Sequence, residues 1–221
     1  VPIMAEDFTQ WVVDDQFAAE RPDLTKVGVT FTQNVDPYEE AKIRILNGGH
    51  TCLAYLGALA GHYTFDQAMA DPELFAHFEE FERGEVLPAL TEALPFDKDL
   101  YLNQIIARFK NASIGDTVER ICADGYLKFP IFIHPTLAGC LKQGILPRAG
   151  LRAIASWYVF CKHIEAGTLP IAYGEPYWDN LRELLQEGQG DRFAHSASLW
   201  GPLPQDHPEF TPAVITAITE M

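Results

Sequence analysis

From Pro37 onward apolar residues recur at three- and four-residue intervals, the period of helices that bury one face. Asp36 as N-cap, Pro37 at the first helical position and Glu39 at the acid position of a capping box predict a helix from about Pro37 to Gly61. Asp71-Pro72-Glu73 repeats that start, and Leu74, Phe75, Phe78, Phe81, Val86 and Leu90 carry one stripe toward Ala93. Asp97 predicts a cap for a helix ending near Asn111, Asp116 a cap for one that meets Gly125, and Pro130 the opening of one ending near Gly144. Helices are expected over 148–166, stopped by Gly167, over 176–187, and from Pro208 to Met221. Ahead of these, Val27 to Phe31 alternates and is β-prone, so a strand is expected there, broken by Asn34-Val35-Asp36-Pro37. Phe8, Trp11, Val12 and Val13 predict a short buried piece. The fold class is mainly α: a helical body over 37–221, with a small non-helical or short-strand N-terminal arm over 1–36 packing on it.

Composition narrows the function classes. The 221 residues are 48% hydrophobic and 21% charged, ordinary globular values that exclude global disorder. Sixteen Lys and Arg stand against 31 Asp and Glu, a net charge of −15. Such a surface repels phosphate backbones and anionic lipid, so no nucleic-acid partner and no membrane partner is expected. No apolar run approaches a membrane span of about 20 residues. Acids from Glu6 to Asp15 interrupt the start, so no signal peptide is read. The opening Val1-Pro2-Ile3 fits a processed chain or a piece of a longer one. Cys52, Cys122, Cys140 and Cys161 form no CxxC and no Cys/His metal spacing, and read as reduced core residues of a cytoplasmic protein.

Common chemical signatures are missing. No GxGxxG follows a strand, and there is no phosphate-binding GxxxxGK[ST], HExxH, GxSxG or EF-hand loop. Gly188-Gln189-Gly190 is too short to serve as a dinucleotide fingerprint.

Two polar constellations interrupt the apolar helices. In Lys42-Ile43-Arg44-Ile45-Leu46-Asn47-Gly48-Gly49-His50, Lys42, Asn47 and His50 project at roughly 0°, 140° and 80° if the helix is regular. Asn47 and the two glycines sit mid-helix at a local cost of about 2–3 kcal/mol, and such violations concentrate at functional sites. A helix crossing that needs small residues, with Lys42 and Arg44 solvated, explains the pattern equally well, and both readings stand. The second constellation is Arg120, Asp124 and Lys128, spaced i, i+4, i+8, which a continuous helix would stack in one stripe. Its bland reading is an ion-pair ladder worth about 0.3–0.5 kcal/mol per pair; Gly125 can also end the helix and re-aim Lys128. The other histidines, His62, His77, His134, His163, His195 and His207, share no spacing and read as surface or satisfied core residues.

Lys42-x4-Asn47-x2-His50 resembles the catalytic helix of the mannitol dehydrogenase family, the long-chain, zinc-independent polyol and sugar-acid dehydrogenases. Phe8-x2-Trp11-Val12-Val13-Asp14-Asp15-x-Phe17, Arg21-Pro22, Val27-Gly28-Val29 and Pro37-Tyr38-Glu39 resemble the segment leading into it. Ala54-Tyr55-Leu56-Gly57 and Asp124-Gly125-x2-Lys128-x-Pro130 match in kind downstream, so the resemblance covers roughly residues 6–200. It implies a multi-helix C-terminal domain of the polyol dehydrogenase type, whose partner is the protein's own N-terminal Rossmann domain. That domain, absent from this chain, would hold most of an NAD or NADP cofactor. No metal is implied.

The implied reaction is hydride transfer between a secondary alcohol of a polyol and a nicotinamide, giving a ketose, as in the mannitol/fructose or arabinitol enzymes. By resemblance Lys42 is the general base, Asn47 donates to the reacting oxygen, and His50 hydrogen-bonds substrate near the reacting carbon. Arg120 and Lys128 match positions contacting the rest of a polyol or the carboxylate end of a sugar acid. A free lysine titrates near about 10.4, so this base needs burial or a nearby cation to lower it toward about 7–8. The chain alone is expected to be inactive. Two alternatives remain at this stage: a fructuronate reductase or mannonate oxidoreductase domain, and a non-catalytic helical interaction module.

Overall fold

A computed structural model describes residues 8–186 and 190–221. The opening Val1-Pro2-Ile3, the acids Glu6 and Asp7, the expected helix end at Glu187, and Gly188-Gln189 lie outside the described residues.

The arm is a two-stranded sheet in which β1 (Trp11–Asp14) pairs in parallel with β2 (Val29–Thr32), Trp11 opposite Val29 and Asp14 opposite Thr32. The expected strand thus runs slightly later than 27–31. The piece around Trp11 is a strand and not a buried segment, with Trp11 exposed. Parallel strands need a long return path, here the connection 15–28, closed by a short 3-10 turn at Thr25–Val27 and by Gly28, whose φ of 88° is left-handed. Arg21 bonds Asp15 at 2.7 Å and covers the Phe31 ring, and Tyr101 donates to Gln10 at 3.2 Å, tying the arm to the body.

The predicted first long helix is three joined pieces: α1 (Asp36–Ala41), a π segment (Lys42–Asn47) and α2 (Gly48–Leu59). Asp36 does not cap it with its side chain. It is the first helical residue, and Asn34 accepts its N–H at 3.1 Å. After α3 (Phe65–Ala70), Asp71 does cap α4 (Pro72–Glu79), accepting from Glu73 and Leu74. A second π segment (Glu80–Val86) leads into α5 (Leu87–Ala89). This stripe stops at Ala89 and not Ala93, because Leu90 is extended with ψ 136°. Asp97 caps α6 (Lys98–Phe109) as expected.

The next stretch departs from expectation. Thr117, not Asp116, caps α7 (Val118–Cys122), and the chain breaks at Asp124, whose φ is 60°. Gly125 does not terminate a helix; it opens α8 (Gly125–Lys128). Pro130 lies inside a third π segment (Phe129–Ile133) that continues into α9 (His134–Lys142). The long α10 (Arg148–Ala166) ends at left-handed Gly167 as predicted. The short helices α11 (Trp178–Leu184), α12 (Asp191–Ala194), α13 (Ala197–Trp200) and α14 (Leu203–Asp206) lead to α15 (Phe210–Thr219).

α2 and α10 pack together at the centre, and α15 covers the other face of α10. The core is aromatic: Phe129 stacks on Trp157 with centroids 4.3 Å apart, and Tyr55, Phe160, Phe193 and Trp200 surround the pair. Fully burying each such side chain contributes about 1.5–3 kcal/mol. All four cysteines are free and buried, as expected. No helix among the described residues is long and apolar enough to cross a membrane. None of their His, Cys, Asp and Glu side chains cluster in a way that could hold a metal ion.

Candidate active site

The π segment Lys42–Asn47 delivers the expected residues into α2. In a π turn each N–H reaches one carbonyl further back, so one extra residue enters the turn, and such bulges often mark functional sites. The regular angular spacing of Lys42, Asn47 and His50 therefore does not hold. Eight residues at about 1.5 Å rise separate Lys42 from His50 by roughly 12 Å, so the two flank a site rather than touch. Lys42 is exposed, and Asn47 and His50 are half-buried. No hydrogen bond is formed by the Asn47 side-chain amide or the Lys42 amine among the described residues. The Asn47 carbonyl accepts from Thr51 Oγ1 at 2.9 Å.

The double glycine serves packing. A Cβ at Gly48 would sit 3.1 Å from the Phe132 carbonyl oxygen, and one at Gly49 would meet Glu82 Oε1 at 2.6 Å and Phe78 at 2.8 Å. The two π segments Glu80–Val86 and Phe129–Ile133 press against this point, which is the helix-crossing explanation of the pair. Arg44 is not solvated. It is buried and bonds Glu40 at 3.0 Å, Thr136 at 3.0 Å and the Ala89 carbonyl at 3.1 Å, so it is fully engaged away from Lys42.

His50 lies in an aromatic seat. Its ring stacks on Phe109 with centroids 4.1 Å apart at 24°, and Phe65 meets it edge-on at 4.7 Å. Burial pushes its pKa down to about 4, opposed by Asp116 and reinforced by the positive fields of Arg120, Arg108 and Lys128. The imidazole is thus neutral at pH 7, able to donate from one nitrogen and accept at the other. Neither ring nitrogen is hydrogen-bonded among the described residues. A cavity of about 60 Å³ opens beside it, lined among others by Asp66, Arg108, Asn111 and Asp116. That is room for one or two waters or a substrate hydroxyl.

Arg120 and Lys128 reach this neighbourhood by a route that sequence did not show. The break at Asp124 dissolves the expected Arg120–Asp124–Lys128 stripe. Arg120 forks onto Asp116, its i−4 neighbour, through Nε and Nη2. Lys128 folds back to donate to the Ile121 carbonyl at 2.9 Å. Burial lowers its pKa from the ordinary lysine value, while Asp124 and Cys122 hold it up. One of three ammonium hydrogens is used, leaving two for a ligand.

The structure thus links Arg120 to the cavity beside His50 through Asp116 and puts Lys128 within reach of His50's field, with Asn47 a helical turn from His50 and Lys42 exposed. Sequence reasoning missed Phe109, Asp116 and Arg108; the i, i+4 spacing of Asp116 and Arg120 was the available signal for one of them. A larger groove of about 790 Å³, lined among others by Glu73, His77, Arg148 and Arg152, contains none of the expected residues.

Comparison with known proteins bears on this arrangement. The profile described as mannitol dehydrogenase C-terminal domain matches residues 34–221. A D-arabinitol 4-dehydrogenase of Ralstonia nicotianae is 37% identical over 205 residues, covering 91% of this chain and 44% of the relative. A mannitol 2-dehydrogenase of Cereibacter sphaeroides is 39% identical over 183 residues, covering 83% and 38%. Among solved structures, a Pseudomonas fluorescens mannitol 2-dehydrogenase in ternary complex with NAD and D-mannitol superposes with a TM-score of 0.86 at 32% identity, over 96% of this chain and 44% of that one. The chain spans less than half the length of the curated relatives it matches.

Proposed function

The chain belongs to the mannitol dehydrogenase family, matching its C-terminal domain, and on that footing we propose that it is the substrate-binding and catalytic domain of an NAD(P)-dependent polyol dehydrogenase. The observation that carries the reading is the neutral His50, stacked on Phe109 beside a small cavity that Asp116, the partner of Arg120, also lines. An unbonded amide at Asn47 stands one turn away. A non-catalytic module has no use for this convergence.

The turn from β2 into α1 does not fit the pyrophosphate of a dinucleotide. The turn between β2 and α1 contains no glycine, and the first free N–H groups of α1, those of Tyr38 and Glu39, are taken by the Val35 carbonyl. On this reading the cofactor is held mainly by the remainder of the protein, its N-terminal Rossmann domain. Parallel sheets are normally covered and extended, so the bare pair β1–β2 is where we place the junction with that domain.

A bound nicotinamide would supply the hydride acceptor; this chain's own residues handle the hydroxyl proton and the oxygen. Lys42 Nζ, as the free amine, takes the hydroxyl proton and becomes an ammonium. Asn47 donates its amide N–H to the oxygen as negative charge develops there, a role worth about 3–4 kcal/mol in comparable sites. His50 hydrogen-bonds an adjacent hydroxyl and fixes the reacting carbon. Lys128 binds the distal chain. Arg120 is neutralised by Asp116, so the distal end offers one cation and not two. That balance suits the hydroxyls of a polyol better than the carboxylate of a sugar acid, and favours the polyol reading over the fructuronate reductase one.

The test is a substrate panel on the complete protein with and without Lys42→Ala. Polyol oxidation with NAD⁺ or NADP⁺ is expected, and the variant should lose several orders of magnitude in turnover with unchanged thermal unfolding. Near-normal turnover in the variant removes Lys42 from the role.

A further inference from the structure

The turn that carries Lys128 is not held by its own helices. α7 ends at Cys122, α8 has four residues, and between them Asp124 is the one non-glycine among the described residues with positive φ. Its conformation is imposed from elsewhere in the chain.

A strap at 172–177 imposes it. The Asp124 N–H donates to the Gly174 carbonyl at 2.8 Å, and the Tyr126 N–H donates to Glu175 Oε2 at 2.9 Å. Tyr173 Oη donates to the same oxygen at 2.9 Å, and Trp157 Nε1 in turn donates to Tyr173 Oη at 3.1 Å. The Tyr177 N–H takes Glu175 Oε1 at 3.1 Å. One carboxylate thus receives three hydrogen bonds and fastens the start of α8 to the buried Trp157. Tyr55 completes the seat from the other side by donating to the Cys122 carbonyl at 2.7 Å. Gly125 sits at the focus, where an added Cβ would meet Trp157 Nε1, Tyr173 Oη and Tyr55 Oη within 2.6–2.7 Å. The peptide planes before Asp124 and after Gly125 are therefore set by the strap, and Lys128 follows four residues after Asp124.

We infer that Glu175 is a positioning residue for Lys128: by bonding the Tyr126 N–H it fixes the turn at Asp124 and aims the ammonium at the distal hydroxyls of the substrate. The inference rests on the assignment of Lys128 to substrate binding made above. Glu175 also acts by charge. The groups whose fields reach Lys128 are Asp124, Cys122, Arg120 and Glu175, and the two carboxylates hold the amine in its protonated form against burial.

The experiment uses the complete protein and a polyol substrate. In Glu175→Gln the charge is lost and one acceptor becomes a donor facing a backbone N–H. The expected result is a KM for the polyol raised about 3- to 30-fold with kcat little changed, the size of weakening one hydrogen bond to a charged group without abolishing it. The alkaline limb of the KM profile should also move to lower pH, a change that a merely structural defect does not produce. Tyr173→Phe keeps the carboxylate and removes one bond to it, and should raise KM less with no displacement in pH. A folded Glu175→Gln variant with unchanged KM and pH profile overturns the inference. If that variant does not fold, an unchanged KM in Tyr173→Phe overturns it. Lys128→Ala separates the two levels: a rise in KM there with none in Glu175→Gln sinks only the positioning role, whereas no rise in Lys128→Ala removes the substrate contact beneath it.

Discussion

His50 and Phe109 lie nearly face to face, ring centroids 4.1 Å apart, although they come from different helices, α2 and α6. The stack removes one face of the imidazole from water, and that burial keeps the ring neutral down to about pH 4. A group meant to exchange hydrogen bonds with hydroxyls is better neutral, since the charged ring only donates. Phe109→Leu opens that face while leaving an apolar filler. The His50 pKa should rise from about 4 toward its ordinary value of 6.5, read by NMR titration of the ring carbons in the isolated chain. A titration unmoved by the substitution assigns the shift to some other neighbour.

Gly49 tests whether the double glycine exists for packing. Alanine is the better helix former by about 1 kcal/mol, yet its Cβ here would lie 2.6 Å from Glu82 Oε1, 2.8 Å from Phe78 and 3.4 Å from Phe109. Overpacking of this kind costs about 1–3 kcal/mol. Gly49→Ala should therefore destabilise the domain, in denaturant unfolding, despite the propensity gain. Gly84→Ala is the control: nothing lies within 4 Å of its added Cβ, and it should be neutral or stabilising by up to about 1 kcal/mol. Equal effects from the two substitutions contradict the packing account.

The contrast shows what the sequence could and could not disclose. Helix starts governed by local chemistry were readable, and Asp71 and Asp97 cap where expected. Asp116 and Thr117 are both competent caps; the Asp116 carboxylate is taken by the Arg120 guanidinium, and Thr117 accepts the Arg120 N–H. The break at Asp124 depends on carbonyl and carboxylate partners about fifty residues away, at Gly174 and Glu175, so nothing local announces it. The π winding is equally silent. It adds a residue to the turn, so the angles between Lys42, Asn47 and His50 do not follow a regular helical period. The three residue types expected in the catalytic helix were legible as a break in pattern; their arrangement was not.

Glu85 and the buried histidines tilt stability in opposite directions with pH. Glu85 accepts the Ala149 and Gly150 N–H groups at 2.7 and 2.8 Å, capping α10 from another helix. Burial nonetheless raises its pKa from 4.5 to about 7. Between those values the folded chain retains a proton the unfolded chain has lost, so this contribution is complete below about pH 4.5 and is lost as pH rises through 7. His50 and His77, both lowered from 6.5 to about 4, act oppositely: their contribution is complete above 6.5 and is lost as pH falls toward 4. Glu85→Gln isolates the first effect. The stability of the unsubstituted chain relative to the variant should fall by about 3 kcal/mol between pH 4.5 and 7, measured by urea unfolding at each pH. A difference independent of pH counts against Glu85 as the titrating group.

Glu82 is the sharpest departure from ordinary core composition. It is fully buried, both carboxyl oxygens lack a hydrogen-bond partner among the described residues, and burial holds its pKa well above the ordinary value. Burial thus favours the uncharged acid, which lies against Gly49, the residue before His50. Leaving polar atoms unpaired costs about 1–3 kcal/mol, and an apolar side chain of similar shape recovers it. Glu82→Met should stabilise the domain by about that amount, and Glu82→Gln, which keeps a polar head in the same dry site, should not. The measurement is the midpoint of thermal or denaturant unfolding for both variants. A less stable Met variant would mean that the carboxyl is satisfied by a bound water. The site against Gly49 would then be wet.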